Sequence, residues 1–347
     1  SIATQLIGKH GGATAAVAAQ VRDVTAETGC LYGAEMFGTS THSVVSDIVD
    51  KRQAKIGKEI LHVRDTAEAT GVLCELGWTA SSSKAWLQRI LFWWRLGKSP
   101  SRLLHLLEWQ AEQYETTSAT RGVSEYNWWR VTKSEIDKLS AEVGLSCKEL
   151  RALPRKTFRT IVRRVSWKRE LKSRLDVMKD SARLSHIARE LQTRQLRNPN
   201  LFGWEAASYL EHVSSRFHIR LIAMTRLGLL PLEIETGRWQ GLQREKRLCV
   251  SCNTQIGDTD HFLRGCVQLS TATCAHWADA PKGDGAGAWW RLFARSLDVR
   301  WHEKCSVSAN PSDYELDDEF CGFIEWDKEA IKSGLFIEPG QNAPSNL

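Results

Sequence analysis

The sequence predicts a mainly α-helical protein that carries a small cysteine-rich module and an acidic C-terminal extension. Apolar residues recur at three- and four-residue spacing over long stretches, which is the helical period. Residues that start and stop helices flank those stretches, whereas alternating strand patterns are scarce outside the cysteine cluster. The chain has 347 residues, 42% of them hydrophobic, so it can build two or three domains with real cores.

The first predicted helices lie in the N-terminal third of the chain. One covers about residues 43 to 61, and a second covers residues 83 to 97. The second helix has a wide apolar stripe and is therefore predicted to be mostly buried. Its stripe consists of Trp86, Leu87, Ile90, Leu91, Trp93 and Trp94. Gly97 ends this helix, and Pro100 occupies a favourable first position for the next one.

Helix signals continue through the centre of the chain. Ser146 is followed three residues later by Glu149, which is the spacing of a capping box. Helices are predicted from Ser134 to Gly144, over SCKELRALP from Ser146, along the basic segment that Asn198-Pro199 breaks, and from about Trp204 to Phe217. The stretch PKGDGAG, residues 281 to 287, is typical of a linker.

The charge is distributed unevenly, although the net charge is only +6. Residues 148 to 197 hold sixteen Lys or Arg against five Asp or Glu, and residues 298 to 347 hold four against eleven. This asymmetry favours a polyanion partner such as RNA, bound through phosphate contacts. The candidate contacts share one polar helix side: Arg155, Lys156, Arg159, Arg163, Arg164, Lys168, Arg169 and Lys172. Pairing with the chain's own acidic tail is the alternative.

Tryptophan is unusually frequent, with fifteen residues against five tyrosines. Trp128 and Trp129 precede Arg130 in a polar stretch, so they are the best candidates for stacking on nucleic-acid bases. Such tryptophan pairs are more often buried in a core, and this alternative stays open.

Cysteine and histidine cluster in RLCVSCNTQIGDTDHFLRGC, residues 247 to 266. Cys249, Cys252, His261 and Cys266 follow the spacing of a tetrahedral Zn²⁺ site, and four such ligands predict a closed, structural site. A redox pair normally opens a helix in a βαβ context, which is missing here. Cys274 or His276 could replace one ligand. The nine cysteines are otherwise scattered, which predicts reduced thiols rather than disulfides.

These motifs resemble the C-terminal region of non-LTR (LINE-type) retrotransposon reverse transcriptases. LYGAEMFG is similar to a segment at the end of that polymerase, and QAKIGKEILHVRDTAEATGVLCELGW is similar to its thumb. LQRILFWWRLGKSP is similar to the helix that follows, and the cysteine cluster is similar to the family's CCHC zinc knuckle. The matches follow the family's order over about residues 30 to 266.

The resemblance implies a helical thumb and wrist bundle, a zinc-knuckle module and contacts with template RNA or DNA. It divides the chain into a thumb-like region 1–80, a helical wrist or linker 81–235 containing the basic segment 148–197, a zinc knuckle 236–280 and a linker with the acidic extension 281–347. The palm with its paired metal-binding aspartates is missing. Asp317 and Asp318 lie after the knuckle with the wrong aromatic spacing, so we interpret them as surface charge.

The sequence therefore predicts a non-catalytic RNA-binding protein, derived from a reverse transcriptase, that also contacts neighbouring proteins. We expect a subunit of a large ribonucleoprotein such as an organellar (mitochondrial) ribosome, within an organelle or the nucleus. One alternative is a fragment of an active retrotransposon polymerase. Another is a protein–protein scaffold that binds no nucleic acid. No apolar run approaches the ~20 residues that cross a membrane, so no membrane partner is expected.

Overall fold

The computed structural model describes residues 44–98, 128–198, 202–266 and 285–307, together with isolated positions before and between these ranges. The α-helices are α1 Val44–Leu61, α2 Ala69–Glu75, α3 Ser81–Lys98, α4 Trp128–Val143, α5 Cys147–Ala152, α6 Arg155–Lys179, α7 Ser185–Arg197, α8 Tyr209–His212, α9 Arg216–Arg226, α10 Glu233–Trp239 and α11 Ala286–Val307. Short 3₁₀ turns cover Ala182–Leu184 and Arg244–Lys246, and a π-helical turn covers His261–Gly265.

The prediction of a mainly α fold is confirmed. Among the described residues, β pairing is limited to one antiparallel bridge between Leu248 and Ile256. None of the described helices is both long enough and apolar enough to cross a bilayer.

The chain forms two compact units. The first comprises Ser1–Leu230 and Thr273–Asp298, and the second comprises Pro231–Ala272 and Val299–Leu347. The sequence suggested a domain boundary between residues 80 and 81, but in the structure both residues form hydrogen bonds to other helices of the first unit. The Ala80 N–H donates to Glu170 of α6, and the Ser81 N–H donates to the side chain of Gln53 in α1.

The core of the first unit is rich in tryptophan from α3 and α4. Its fully or nearly fully buried members include Trp86, Ile90, Trp93, Trp94, Trp128, Trp129, Leu139, Leu150 and Phe158. The Trp86 indole N–H donates to Glu135 at 3.0 Å, so this buried donor has a partner. The predicted burial of α3 is confirmed, because Trp86, Ile90, Trp93 and Trp94 of its apolar stripe are buried.

The predicted capping box at the start of α5 is confirmed. The Ser146 hydroxyl accepts the Glu149 N–H, and the Glu149 carboxylate accepts the Ser146 N–H, so two otherwise orphaned donors are satisfied. Gly144 follows α4 with a φ of 71°, a left-handed conformation that glycine adopts at little cost.

Four predicted boundaries are wrong. The helix expected along the basic segment is divided into α6 and α7 by the 3₁₀ turn Ala182–Leu184. The helix expected to begin at Ser134 begins at Trp128, because the buried Trp128 and Trp129 of its first turn pack into the core. The helix expected over 204–217 is split into α8 and α9, because Ser215 caps α9 by accepting the His218 N–H. The end of the predicted linker 281–287 is helical, since α11 begins at Ala286.

Some predictions fall outside the described residues. They concern most of the LYGAEMFG motif, most of the helix after Pro100, the spare ligands Cys274 and His276, and the acidic residues after Val307, including Asp317 and Asp318.

An ion cluster made of the buried pair Arg226 and Glu75 and the exposed Glu190 links α2, α7 and α9 in the first unit. The Arg226 Nε lies 2.9 and 3.0 Å from the two carboxylate oxygens of Glu75, and its Nη2 lies 2.9 Å from Glu190. Burial alone disfavours the charged guanidinium, but the two carboxylates outweigh this effect and raise the pKa of Arg226. The cluster therefore holds three helices together with paired charges.

Candidate metal centre and nucleic-acid interface

Cys249 and Cys252 are held in a tight turn of the second unit. The Cys249 N–H donates to the Gln255 carbonyl at 2.8 Å, and the Asn253 N–H donates to the Cys249 carbonyl at 2.7 Å. Asn253 has a φ of 52°, a left-handed conformation that asparagine tolerates better than most residues. These bonds bring the two thiols of the pair onto the same side of the turn.

His261 and Cys266 stand at the two ends of the π-helical turn. The His261 N–H donates to the Asp258 carboxylate at 2.9 Å, and the Cys266 N–H donates to the His261 carbonyl at 2.9 Å. Both side chains are buried. The turn therefore presents an imidazole and a thiol to the cysteine pair.

The four side chains form a cluster that could hold a metal ion. Their ligand atoms all lie within 4.8 Å of one another. The Cys249 and Cys266 sulfurs are 3.8 Å apart, and the Cys252 sulfur is 3.2 Å from His261 Nε2. Zn–S bonds of about 2.3 Å at tetrahedral angles place two sulfurs about 3.8 Å apart, so the first distance matches a zinc site.

The surroundings of His261 select its ligand atom. Its Nδ1 lies 3.0 Å from the side-chain oxygen of Gln255, which accepts a hydrogen bond and so keeps the proton on Nδ1. Nε2 is then left with its lone pair directed toward the cluster. Such a fixed tautomer is usual for metal-binding histidines.

The thiols of the cluster differ in acidity. Burial raises the pKa of Cys252. Hydrogen bonds from the side chain and backbone of Thr254, from the Gln255 backbone and from His261 together lower this pKa by more, so that the net value is about 6. Burial raises the pKa of Cys266, and the neighbouring Cys249 adds to this effect. Cys252 therefore ionises more readily than Cys266, and the thiolate is the form that binds a cation.

The buried Lys304 of α11 contacts both the cluster and a neighbouring carboxylate. Its side chain is 1% exposed, its Nζ bonds to the buried carboxylate of Glu233, and the same Nζ lies 3.5 Å from the Cys249 sulfur. The Glu233 carboxylate also accepts the Val250 N–H at 3.1 Å. No sequence pattern indicated Lys304, because it lies 55 residues from Cys249 and in a separate helix.

Aromatic packing anchors the same turn to α11. Phe262 follows His261 and makes an edge-to-face contact with Trp301, with ring centroids 6.1 Å apart. The Arg300 Nε donates to the Phe262 carbonyl at 2.7 Å. The second unit therefore has a core of its own around the cluster.

The predicted nucleic-acid contacts of α6 are mostly exposed, but at 3.6 residues per turn they spread around more than the one side of the helix that was expected. Seven of the eight basic candidates are exposed: Arg155, Lys156, Arg159, Arg163, Arg164, Lys168 and Lys172. Within the described part of the chain, none of these seven forms an ion pair. We call these seven residues the basic face. Partial burial and the nearby Arg159 lower the pKa of Arg163, which reflects positive charges close together on this surface.

Arg169, the eighth candidate, has an internal role instead. Its guanidinium pairs with Glu142 at 2.8 Å and with Glu135 at 3.1 Å, and it lies over the Trp86 ring at 5.0 Å. These partners belong to α3 and α4, so Arg169 joins α6 to the core. The helical period alone could not separate it from its exposed neighbours.

The expectation that Trp128 and Trp129 stack on bases does not fit the structure. Their side chains are 7% and 9% exposed and belong to the tryptophan-rich core. The polar sequence around them suggested exposure, but the first turn of α4 packs against α3, with Phe92 in edge contact with Trp128.

Comparisons with known proteins gave no match: no protein-family model, no curated protein and no solved structure matches this chain.

Proposed function

We propose that this chain binds RNA through the basic face of α6. The observation that carries the proposal is the arrangement of seven exposed cations without anionic partners among the described residues. At about 1.5 Å per residue, Arg155 and Lys172 are about 26 Å apart along the helix. Like charges three or four residues apart destabilise a helix unless anions neutralise them, and phosphates supply such anions.

Phosphate contacts of this kind give affinity without reading sequence. We therefore propose recognition of RNA backbone rather than of a particular base order. Ultraviolet cross-linking of the 347-residue chain to RNA, followed by mass spectrometry of the peptides, tests the location. Cross-linked peptides from residues 155–172 are expected, and cross-links confined to other parts of the chain would contradict the proposal.

We also propose that the Cys249, Cys252, His261 and Cys266 cluster holds one structural Zn²⁺. Three sulfurs and one imidazole nitrogen are the soft and borderline donors that zinc prefers, and four protein ligands leave no open position for a reactive water. The buried Lys304 beside Cys249 supports this assignment, because a Zn²⁺ with three thiolates carries a net negative charge. Measuring metal per chain by mass spectrometry tests it, and less than about half an equivalent would exclude the site.

The proposed role is structural rather than catalytic. The resemblance to the thumb, wrist and knuckle of retrotransposon reverse transcriptases supports nucleic-acid binding, and the palm motif is missing from this sequence. We propose a subunit of a large ribonucleoprotein, with RNA and neighbouring proteins as partners. Co-purification of the tagged chain with one abundant structured RNA tests the assembly. Extension of a primer on an RNA template by the purified chain would favour a polymerase fragment instead.

A further inference from the structure

A histidine follows α1 at a turn position that favours glycine. The Val63 N–H donates to the Lys58 carbonyl at 3.0 Å, and the His62 N–H donates to the Glu59 carbonyl at 3.3 Å, which are the two bonds of a Schellman motif. His62 has a φ of 54°, so it occupies the left-handed position of this motif, where a side chain is strained. Such strain at a non-glycine residue points to a function for its side chain.

The imidazole of His62 is held by Arg216, the first residue of α9. The Arg216 Nε donates to His62 Nδ1 at 3.2 Å. A ring nitrogen that accepts a hydrogen bond carries no proton, so the neutral ring has its proton on Nε2. No group of the described residues accepts a hydrogen bond from this Nε2–H. Arg216 therefore fixes a ring that offers one further donor.

Two positive charges lie close to this ring. Arg220 follows Arg216 by four residues on α9, and burial together with the charges of these two arginines lowers the pKa of His62 to about 4. The Arg216 side chain is exposed and forms no ion pair with a described residue, whereas His62 and Arg220 are half-buried. Like charges four residues apart destabilise a helix, and an anion bound between them offsets this cost.

The other charged groups of this region do not neutralise the two arginines. The Lys58 Nζ donates to the Asp65 carbonyl at 2.5 Å, so it adds a further cation. His218 of α9 pairs with Asp298 at 3.5 Å, so that carboxylate already has a partner. The exposed charged residues near the turn are Glu59, Arg64 and Asp65. The charges that shift the pKa of His62 are both positive, so the carboxylates near the turn do not offset them.

We propose that Arg216, Arg220 and the Nε2–H of His62 bind one phosphate group. A guanidinium presents planar pairs of N–H donors that fit phosphate oxygens, and Arg216 can use its Nη groups for this purpose because its Nε bonds to His62. The two arginine charges balance the two negative charges of a phosphate monoester, and the imidazole adds a third donor. The site lies on α9 and the turn after α1, so it does not depend on RNA binding by the basic face of α6.

Titration of the 347-residue chain with inorganic phosphate in chloride buffer tests the site, with the histidines labelled with ¹⁵N and observed by NMR. The His62 signal should move at neutral pH, and the pKa of His62 should rise above about 4, because a nearby anion favours the charged imidazole. Arg216→Gln should weaken phosphate binding by about 10- to 150-fold, which is the loss of a charge-assisted hydrogen bond. The matched control Arg189→Gln removes an exposed cation of α7 and should bind phosphate as the wild type does.

A second variant separates phosphate binding from folding. His62→Gly removes the imidazole but suits the left-handed backbone, so it should keep the fold while weakening phosphate binding by about 2- to 10-fold. An unmoved His62 signal, or wild-type phosphate affinity in both Arg216→Gln and His62→Gly, would overturn the site and leave RNA binding by the basic face intact.

Two short RNAs of the same sequence identify the source of the phosphate group. Stronger competition by the RNA with a 5′-phosphate than by the RNA with a 5′-hydroxyl assigns the site to an RNA end. Equal competition by both assigns it to the RNA backbone, and competition by neither assigns it to a small phosphate compound. Each of these results upholds the site, provided that inorganic phosphate moves the His62 signal.

Discussion

Replacing Lys304 by methionine is expected to weaken the second unit. Met fills a similar volume but removes the ammonium group that bonds to Glu233 and approaches Cys249. The Lys304 side chain is 1% exposed and that of Glu233 8%, so the variant leaves a buried carboxylate without its partner. Removing one partner of a buried ion pair costs about 3–5 kcal/mol, which is two to three and a half orders of magnitude in a local opening equilibrium.

Hydrogen exchange of the amides in residues 247–266 measures this opening, and transfer of zinc to a chelating dye measures metal affinity. Loss of a residue that contacts a metal ligand weakens metal binding by about 10- to 100-fold. Exchange should accelerate in Lys304→Met but not in Arg295→Met, a control on the exposed side of the same helix. The double variant Glu233→Gln with Lys304→Met should recover most of the loss, because no buried charge is left unpaired. Unchanged exchange in Lys304→Met, or no recovery in the double variant, would refute the reasoning.

Three further predictions concern the cluster and the first unit. Cys252→Ser should release the metal and accelerate hydrogen exchange in residues 247–266, while the described helices up to residue 226 keep their protection. Exchange equal to that of the wild type in residues 247–266 would count against a folding role for zinc. Burial and the nearby charges of Arg216 and Arg220 lower the pKa of His62 from 6.5 to about 4. The unfolded chain therefore binds a proton at His62 more readily than the folded chain, so the free energy of unfolding should fall as the pH drops from about 6.5 to about 4. His62→Asn, which tolerates the φ of 54° at this position, should lose this part of the pH dependence in denaturant titrations, and an unaltered profile would assign it to other groups. Glu75→Gln should lower the free energy of unfolding by about 3–5 kcal/mol, because it leaves Arg226 buried without its main carboxylate partner, and a loss below about 1 kcal/mol would be inconsistent with the buried cluster.

The helices and the metal cluster could be predicted because their signals are local. The capping box at Ser146 and the Cys-x-x-Cys spacing each depend on residues within a few positions of one another, so the sequence contains the whole signal. The helical period also identified most of the exposed cations on α6.

The remaining features depend on contacts between residues far apart in the chain. Arg169 has the same spacing as its exposed neighbours, and only the packing of α6 against α3 and α4 gives it carboxylate partners. Lys304 approaches Cys249 from another helix, so no spacing rule could find it. Trp128 was a candidate for base stacking because the residues around it are polar, but a tryptophan-rich core that draws on several helices buries it.

The salt dependence of RNA binding tests the central claim most directly. If all seven cations of the basic face contact phosphates of a single strand, the slope of log K against log salt reaches about −5. Changing Arg159, Arg163 and Arg164 to Gln should flatten this slope by about 2, whatever the RNA sequence. The control changes Lys51, Arg52 and Lys55 of α1 to Gln, which removes the same charge from another exposed surface and should leave the slope unchanged. Equal slopes for the α6 variant and the wild type, or equal flattening by both variants, would contradict RNA binding through the basic face.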